Sequence, residues 1–203
     1  MLKIVVFVSG RGSNLKEVYS QVPKDKLKIS AVVSDKIDCG GINFAKEENI
    51  PVYFVSEMSK EGFVDYNFLI NEFRGLEVDL ILLAGFLKKI PDHFVDAFEN
   101  KIINIHPALL PKYGGKGMYG VNVHKAVFDS NDKFSGVTIH FVDKIYDNGK
   151  IILQKQVDVS NAKSYEDVAE KVLAIEHQLL PYVIEKFCDN KIKYDGGEIR
   201  IID

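Results

Sequence analysis

The chain has 203 residues and a formal net charge of -3, with 46% hydrophobic and 27% charged residues. A chain of this length can bury a substantial core, and the composition is typical of a soluble globular protein. The weak negative charge gives no general electrostatic reason to bind nucleic acid or an anionic membrane. We therefore expect neither nucleic acid nor a membrane among its partners.

The cysteines and the first residues of the sequence bear on the protein's location. Cys39 and Cys188 are far apart in the sequence, so they predict neither a disulfide framework nor a zinc site. The apolar run in MLKIVVFVSG is shorter than a signal peptide requires. No stretch approaches the roughly 20 apolar residues of a membrane span. These features favour a cytoplasmic protein that binds no metal.

The first half of the chain predicts alternating strands and helices. Apolar segments of strand length recur, as expected for strands buried in a sheet. These strands are expected at 3–9, 27–35, 51–55, 78–86 and 101–106. Helical patterns separate them, beginning near Ser13 and covering 40–50 and 59–75. This order predicts a parallel sheet with helices on both faces, which is an α/β fold.

The pattern changes in the second half. Two strand-like segments, 134–143 and 150–159, flank the turn sequence KIYDNG and predict an antiparallel hairpin. A long helix is expected from a Ser164 cap towards Phe187. Pro181 should kink this helix or end its regular part. The chain has no internal repeat and no Pro/Ser-rich linker, so a single domain is predicted.

A glycine-rich turn, SGRGSN at 9–14, joins the first strand to the first helix. Backbone N–H groups in such a turn, together with the start of a helix, can cradle a phosphate. The turn is not a dinucleotide-binding fingerprint, because Leu15 stands where the third glycine would be. A tight turn closed by a serine cap explains the stretch as well as a phosphate site does.

An amide and an imidazole lie two residues apart in NIHPALLPKYGGKG at 104–117. Side chains alternate along a strand, so Asn104 and His106 should share a face at the carboxyl end, where open α/β sheets bind ligands. Pro107 should end the strand there. A proton-handling imidazole and a fixed amide donor suit acyl transfer, which develops an oxyanion. A capping asparagine and a structural histidine would produce the same pattern.

Asp147 lies at the tip of the predicted hairpin, where Asp-Asn-Gly is ordinary turn chemistry. A functional role requires the tip to fold over His106, so that the carboxylate orients the imidazole and stabilises its charge. Two further histidines are open to either interpretation. His140 alternates with core residues on its strand, which favours a structural or supporting role, and His124 opens a helical run.

Five ordered blocks of the sequence resemble a known family. They are VFVSGRGSNL, LILLAGFLKKIP, IINIHPALLPKYGG, GVTIHFVD with YDNGKIILQ, and AIEHQLLP. Their order and spacing resemble the phosphoribosylglycinamide formyltransferases, folate-dependent enzymes of purine synthesis. The resemblance implies one formyltransferase domain over 1–203, with a nucleotide-binding half at 1–100 and a folate-binding, catalytic half at 101–203. It implies a mostly parallel seven-stranded sheet, Rossmann-like in its N-terminal part, with an antiparallel C-terminal hairpin.

The resemblance also implies a reaction and its residues. A formyl group would pass from 10-formyltetrahydrofolate, the co-substrate, to the amine of 5'-phosphoribosylglycinamide, without a metal. The implied catalytic residues are Asn104, His106 and Asp147. The implied substrate-binding residues are Gly12, Ser13, Asn14 and Glu176. The implied folate-binding residues are Leu87, Lys88, Lys89, Ile90, Asn104, Asp143, Lys144, Ile145, Tyr146 and Asp147. Asn104 and a protonated His106 would donate to the oxyanion, and Asp147 would stabilise the imidazolium.

Some stretches depart from the family's usual pattern. Leu87-Lys88-Lys89-Ile90 stands where members often carry Met-Arg-Ile-Leu, which affects any contact that needs the arginine. The loop between Tyr113 and His124 is longer than the common form. An arginine expected in the third helix, where it would meet the folate glutamate tail, has no clean counterpart. The expected partners are small-molecule substrates, and the expected state is a monomer or a homodimer.

Three alternatives stay open. Related transformylases act on methionyl-tRNA or amino sugars, and a formyltetrahydrofolate hydrolase shares the same core. We expect the tRNA enzyme to carry a basic surface and a further domain, and the hydrolase to carry an additional regulatory domain. A nucleotide-binding module without catalysis is the third alternative, and it leaves the joint occurrence of Asn104, His106 and Asp147 unexplained.

Overall fold

A computed structural model describes residues 1–195 and 198–202 of the chain. The strands are β1 (Leu2–Val8), β2 (Leu27–Ser34), β3 (Val52–Phe54), β4 (Leu80–Leu83), β5 (Ile102–His106), β6 (Phe134–Phe141), β7 (Ile151–Asp158), β8 (Ile192–Asp195) and β9 (Glu198–Ile201). The helices are α1 (Ser13–Gln21), α2 (Gly40–Glu47), α3 (Tyr66–Gly75), α4 (Asp92–Ala97), α5 (Val121–Asp129) and α6 (Tyr165–Cys188).

Seven strands form one sheet in the order β3-β2-β1-β4-β5-β6-β7, and β8 pairs with β9 separately. The predicted α/β fold with a mostly parallel seven-stranded sheet is confirmed. All seven predicted strands form, with ends that differ by a few residues. The chain divides into two compact units, Met1–Ile103 and a second that begins at Asn104. A single domain over the whole chain stays a prediction.

The core of the first unit is built around β1. Its residues from Ile4 to Val8 are fully buried, and β1 pairs in parallel with β2 on one side and β4 on the other. A central strand covered on both faces has no exposed side, which is why its sequence is an unbroken apolar run. Phe7 packs edge-to-face against Phe73 of α3 and Phe94 of α4, at ring-centroid distances of 6.3 and 5.9 Å.

Helix α3 begins later than its sequence pattern predicts. The predicted helix at 59–75 is wrong over its first seven positions, because α3 begins at Tyr66. Before it, Val64 forms a parallel bridge with Val55, and Gly62 has a positive φ of 77°. The Asp65 carboxylate accepts a hydrogen bond of 2.7 Å from the N–H of Phe68, so it caps the helix and fixes its start.

The short elements are the ones that the sequence pattern does not predict. Helix α4 has six residues and follows Pro91, and the strands β8 and β9 have four residues each. Segments of this length contain too few residues to establish a helical or strand periodicity.

The second unit contains the predicted hairpin and the predicted long helix. Strands β6 and β7 pair antiparallel, as expected. Helix α6 begins after Ser164, whose hydroxyl accepts from the N–H of Asp167, while the Asp167 carboxylate accepts from the N–H of Lys163 at 2.7 Å. The helix runs through Pro181 to Cys188 without ending there. In the part of the chain that the structure describes, no helix is long and apolar enough to cross a membrane.

The first turns of α1 and α2 approach each other through glycines. Gly12 has a left-handed φ of 72°, and a Cβ built on it would lie 2.5 Å from the Cα of Gly41. The N–H of Gly41 donates to the carbonyl of Gly10 at 3.0 Å. Only glycine at position 12 meets both the backbone conformation and this spacing.

We expect Gly12→Ala to lower the free energy of unfolding by about 2–6 kcal/mol, since left-handed strain and steric overlap each cost about 1–3 kcal/mol. Thermal unfolding followed by circular dichroism measures the effect. Gly10→Ala is the matched control, because a Cβ there meets nothing within 4 Å. Its melting temperature should stay unchanged or rise slightly. Equal losses in both variants would contradict this account of the Gly12 contact.

Candidate active site

Strand β5 places Asn104 and His106 on one face, as the alternation of its side chains predicts. Ile103 and Ile105, on the opposite face, are 0% and 5% exposed and belong to the core. His106 is the last residue of β5 and is buried, whereas Asn104 is half-buried. The two polar side chains therefore lie at the carboxyl end of the strand, where the loop after it can reach them.

Both ring nitrogens of His106 face other groups of the second unit. Nε2 lies 2.8 Å from the backbone carbonyl of Tyr113. Because a carbonyl can only accept, Nε2 carries the hydrogen of this bond. Nδ1 lies 3.6 Å from Oδ1 of Asp147. The hairpin tip therefore approaches His106 to ion-pair distance, which is the condition that a functional role of Asp147 requires.

The Asp147 carboxylate has three neighbours. Oδ2 accepts a hydrogen bond of 2.8 Å from the N–H of Gly115, and Oδ1 lies 3.6 Å from His106 Nδ1 and 3.7 Å from His140 Nε2. The backbone of Asp147 is left-handed, with a φ of 53°, which is a conformation that Asp and Asn adopt more readily than most residues. The side chain of Asp147 is 13% exposed, so water screens these contacts only partly.

Glycine at position 114 lets the loop after β5 approach Asp147. A Cβ on Gly114 would lie 2.5 Å from Cδ2 of Leu110 and 3.2 Å from Cβ of Asp147. Tyr113 precedes it with a positive φ of 60°. Gly114 thus has a steric role here, whereas a Cβ on Gly115 would meet nothing within 4 Å.

His140 also belongs to this cluster, although the sequence did not place it among the candidate catalytic residues. Its Nδ1 lies 2.7 Å from the carbonyl of Phe141, and its Nε2 lies 3.2 Å from Nδ2 of Asn104. Burial lowers the pKa of His140, against the opposing effects of the Phe141 carbonyl and the Asp147 carboxylate. The alternation of His140 with core residues on β6 was the available signal, and it indicated only that the ring points inward.

His124 lies on α5, and its Nδ1 is buried without a hydrogen-bond partner among the described residues. Burial, and secondarily the neighbouring His106, lower the pKa of His124 to about 4. The ring is therefore neutral at physiological pH. Two histidines, His106 and His140, thus face the Asp147 carboxylate, and His124 lies beside His106. Burial lowers the pKa of His140 and of His124.

The remaining candidates of the second unit shape the hairpin turn or lie on α6. The Asp143 carboxylate accepts from the N–H of Ile145 at 2.8 Å and from the side-chain amide of Asn148 at 2.9 Å. Between Asp143 and Asn148, the exposed residues include Lys144, Ile145 and Tyr146. Glu176 faces inward from α6 and is 8% exposed, an unusual burial for a carboxylate.

The candidate phosphate turn lies in the first unit. Gly12 is the N-cap of α1, and no side chain caps this helix, so the alternative of a serine cap is wrong. Ser13 is the first helical residue, and Asn14 is buried. Uncapped backbone N–H groups at a helix start are available to an anion.

The candidate folate segment, 87–90, also lies in the first unit, separated by three residues from the end of β4. The N–H of Leu87 donates to the hydroxyl of Ser9 at 3.0 Å. Leu87, Lys88 and Lys89 are exposed, whereas Ile90 is buried. Lys89 forms an ion pair of 2.9 Å with Asp92.

Comparison with known proteins bears on the chemistry of this cluster. The Formyl transferase family pattern matches residues 2–184. A chloroplastic phosphoribosylglycinamide formyltransferase of Vigna unguiculata is 44% identical over 98% of this chain. The phosphoribosylglycinamide formyltransferase of Escherichia coli K12 is 33% identical over 95% of this chain and 90% of its own length. This chain spans 65% of the length of the Vigna protein.

Solved structures agree with the sequence comparison. The crystal structure of phosphoribosylglycinamide formyltransferase from Anaplasma phagocytophilum matches with a TM-score of 0.88 at 32% identity, covering 100% of this chain and 94% of that chain. The resemblance inferred from the sequence blocks is confirmed. These relatives are all named phosphoribosylglycinamide formyltransferase. This chain belongs to the formyl transferase family.

Proposed function

We propose that this chain transfers a formyl group from 10-formyltetrahydrofolate to the amine of 5'-phosphoribosylglycinamide. The observation that carries the proposal is the cluster of Asn104, His106 and Asp147 within one unit of a formyl transferase. An amide donor, an imidazole and a carboxylate supply what acyl transfer to an amine needs and what a binding module does not need.

The reaction exchanges one carbon–nitrogen bond for another. The neutral amine attacks the formyl carbon, the formyl oxygen takes up negative charge, and the bond from that carbon to N10 of the folate breaks. One proton leaves the amine and one reaches N10, so the products are the formylated amine and tetrahydrofolate. An N–H of the Asn104 amide stabilises the oxyanion, an effect that is typically worth ~10²–10³ in rate.

His106 and Asp147 handle the proton in this proposal. Asp147 Oδ1 faces Nδ1 of His106, so a proton on Nδ1 is stabilised by the opposite charge. Direct donation from His106 to the oxyanion requires Nε2 to leave the carbonyl of Tyr113. Hydrogen bonds of this kind often rearrange when a substrate binds.

Binding of the two substrates is assigned to separate groups. The uncapped start of α1, with Gly12, Ser13 and Asn14, is proposed to bind the ribonucleotide phosphate. Glu176 is proposed to contact the same substrate through its inward-facing carboxylate. The segments 87–90 and 143–147 are proposed to contact the folate, where the exposed Leu87, Ile145 and Tyr146 offer apolar area to a flat ring.

The proposed reaction predicts that tetrahydrofolate release requires the ribonucleotide. The experiment mixes the protein with 10-formyltetrahydrofolate, with or without 5'-phosphoribosylglycinamide, and follows the absorbance of the folate product. Release that depends on the ribonucleotide is expected. Release without any acceptor would identify a hydrolase. Release only when methionyl-tRNA or an amino sugar replaces the ribonucleotide would identify a different transferase.

Asp147→Asn should lower kcat by about 10²–10⁴-fold, the usual contribution of a proton-transfer group. Asn tolerates the left-handed backbone at 147 and can still accept from Gly115, so the melting temperature should change little. The matched control is Asp158→Asn, which alters an exposed carboxylate at the end of β7 that accepts from the N–H of Ser160, and it should keep kcat. A large loss of stability with a modest loss of rate would show that Asp147 is structural.

A further inference from the structure

The hydrogen bonds of His140 fix which of its nitrogens carries the proton. Nδ1 lies 2.7 Å from the carbonyl oxygen of Phe141, which can only accept, so Nδ1 is the donor. In a neutral ring Nε2 is then without a hydrogen and acts as an acceptor. A Cβ at position 149 would lie 1.8 Å from the Phe141 oxygen, so Gly149 leaves the space in which this carbonyl sits.

The acceptor Nε2 in turn fixes the orientation of the Asn104 amide. Nδ2 of Asn104 lies 3.2 Å from Nε2. An amide nitrogen can only donate, and it is the complementary partner for an unprotonated ring nitrogen. The same Nδ2 carries a second hydrogen, whose direction is set once the first is bonded to His140. That second hydrogen is the one available to a developing oxyanion.

We propose that His140 is a positioning residue, which holds the Asn104 amide in the orientation that directs its second Nδ2 hydrogen to the formyl oxyanion. This inference rests on the proposed function, because it assigns Asn104 the oxyanion-donor role. His140 itself touches no reacting atom in this account. It acts only through Asn104.

The charges around the ring explain why His140 can do this. Burial disfavours the charged ring, and the charge of His106 acts in the same direction, while the carboxylates of Asp147 and Asp143 oppose them. The net effect lowers the pKa of His140, so the ring is neutral at physiological pH. A protonated Nε2 would face Asp147 Oδ1 at 3.7 Å and would repel the Asn104 N–H, and the amide would have to turn over.

Two substitutions of His140 distinguish its hydrogen bond to Asn104 from its hydrogen bond to Phe141. The carboxamide of His140→Gln places an acceptor near the position of Nε2, and therefore keeps the bond to Asn104. The shorter His140→Asn places a donor near the position of Nδ1, and therefore keeps only the bond to Phe141. We expect His140→Asn to lower kcat by about 10²-fold, as for loss of an oxyanion donor, with both KM values little changed. His140→Gln should recover most of that loss.

A double-mutant cycle tests whether the effect passes through Asn104. In an Asn104→Ala background, His140→Asn should cost little further activity, because its target is already gone. In an Asp147→Asn background it should still cost about 10²-fold. Additive losses in the Asn104→Ala background would overturn the proposal, as would a His140→Asn variant that is more active than His140→Gln. His93→Gln, at an exposed histidine, is the control for the substitution and should keep kcat.

A measurement without substrate keeps this inference separate from the proposed function. Nitrogen-15 spectra of histidine-labelled protein report which ring nitrogen of His140 carries hydrogen, with His140→Gln assigning the signal. We expect hydrogen on Nδ1 and a bare Nε2 at pH 7.5. The opposite tautomer would overturn the positioning role even in a fully active enzyme. If the wild-type protein shows the expected tautomer but no activity, the proposed function is overturned. The orientation of the Asn104 amide by His140 would still be supported.

Discussion

The arrangement of the candidate active site depends on one carboxylate, that of Asp147. One oxygen accepts a hydrogen bond from the N–H of Gly115, in the loop after β5. The other oxygen lies 3.6 Å from Nδ1 of His106 and 3.7 Å from Nε2 of His140. Removing its charge would leave two imidazoles facing each other across a partly buried space. The carboxylate reaches this position because its backbone is left-handed at the hairpin tip, with a φ of 53°.

The two histidines around this carboxylate have different proton arrangements. His106 donates through Nε2 to Tyr113, and His140 donates through Nδ1 to Phe141. In the neutral rings, Nδ1 of His106 and Nε2 of His140 therefore carry no hydrogen, and both lie near Oδ1 of Asp147. Burial opposes a positive charge on His140 and lowers its pKa. In the function proposed above, proton handling belongs to His106 and Asp147, and orientation of the Asn104 amide belongs to His140.

Sequence patterns predicted the parts of this structure that depend on local physics. Buried apolar runs predicted the strands, and alternation on β5 placed Asn104 and His106 on one face. The start of α3 was missed because the side-chain cap of Asp65 and the bridge of Val64 outweigh the helical pattern before Tyr66. The link from His140 to Asn104 joins residues 36 positions apart in the sequence, and only the pairing of strands brings such residues together.

The glycine-rich loop after β5 has two parts, 113–115 and 116–120. The first is held at a fixed length by hydrogen bonds to His106 and Asp147, and the second is not. The carbonyl of Tyr113 is hydrogen-bonded to His106, and the N–H of Gly115 is hydrogen-bonded to Asp147. An insertion or deletion between Tyr113 and Gly115 would therefore disturb both hydrogen bonds. From Lys116 to Gly120 the chain is mostly exposed, and its glycines have open space around them. Changes in loop length at 116–120 therefore leave these two hydrogen bonds in place, whereas changes between Tyr113 and Gly115 do not.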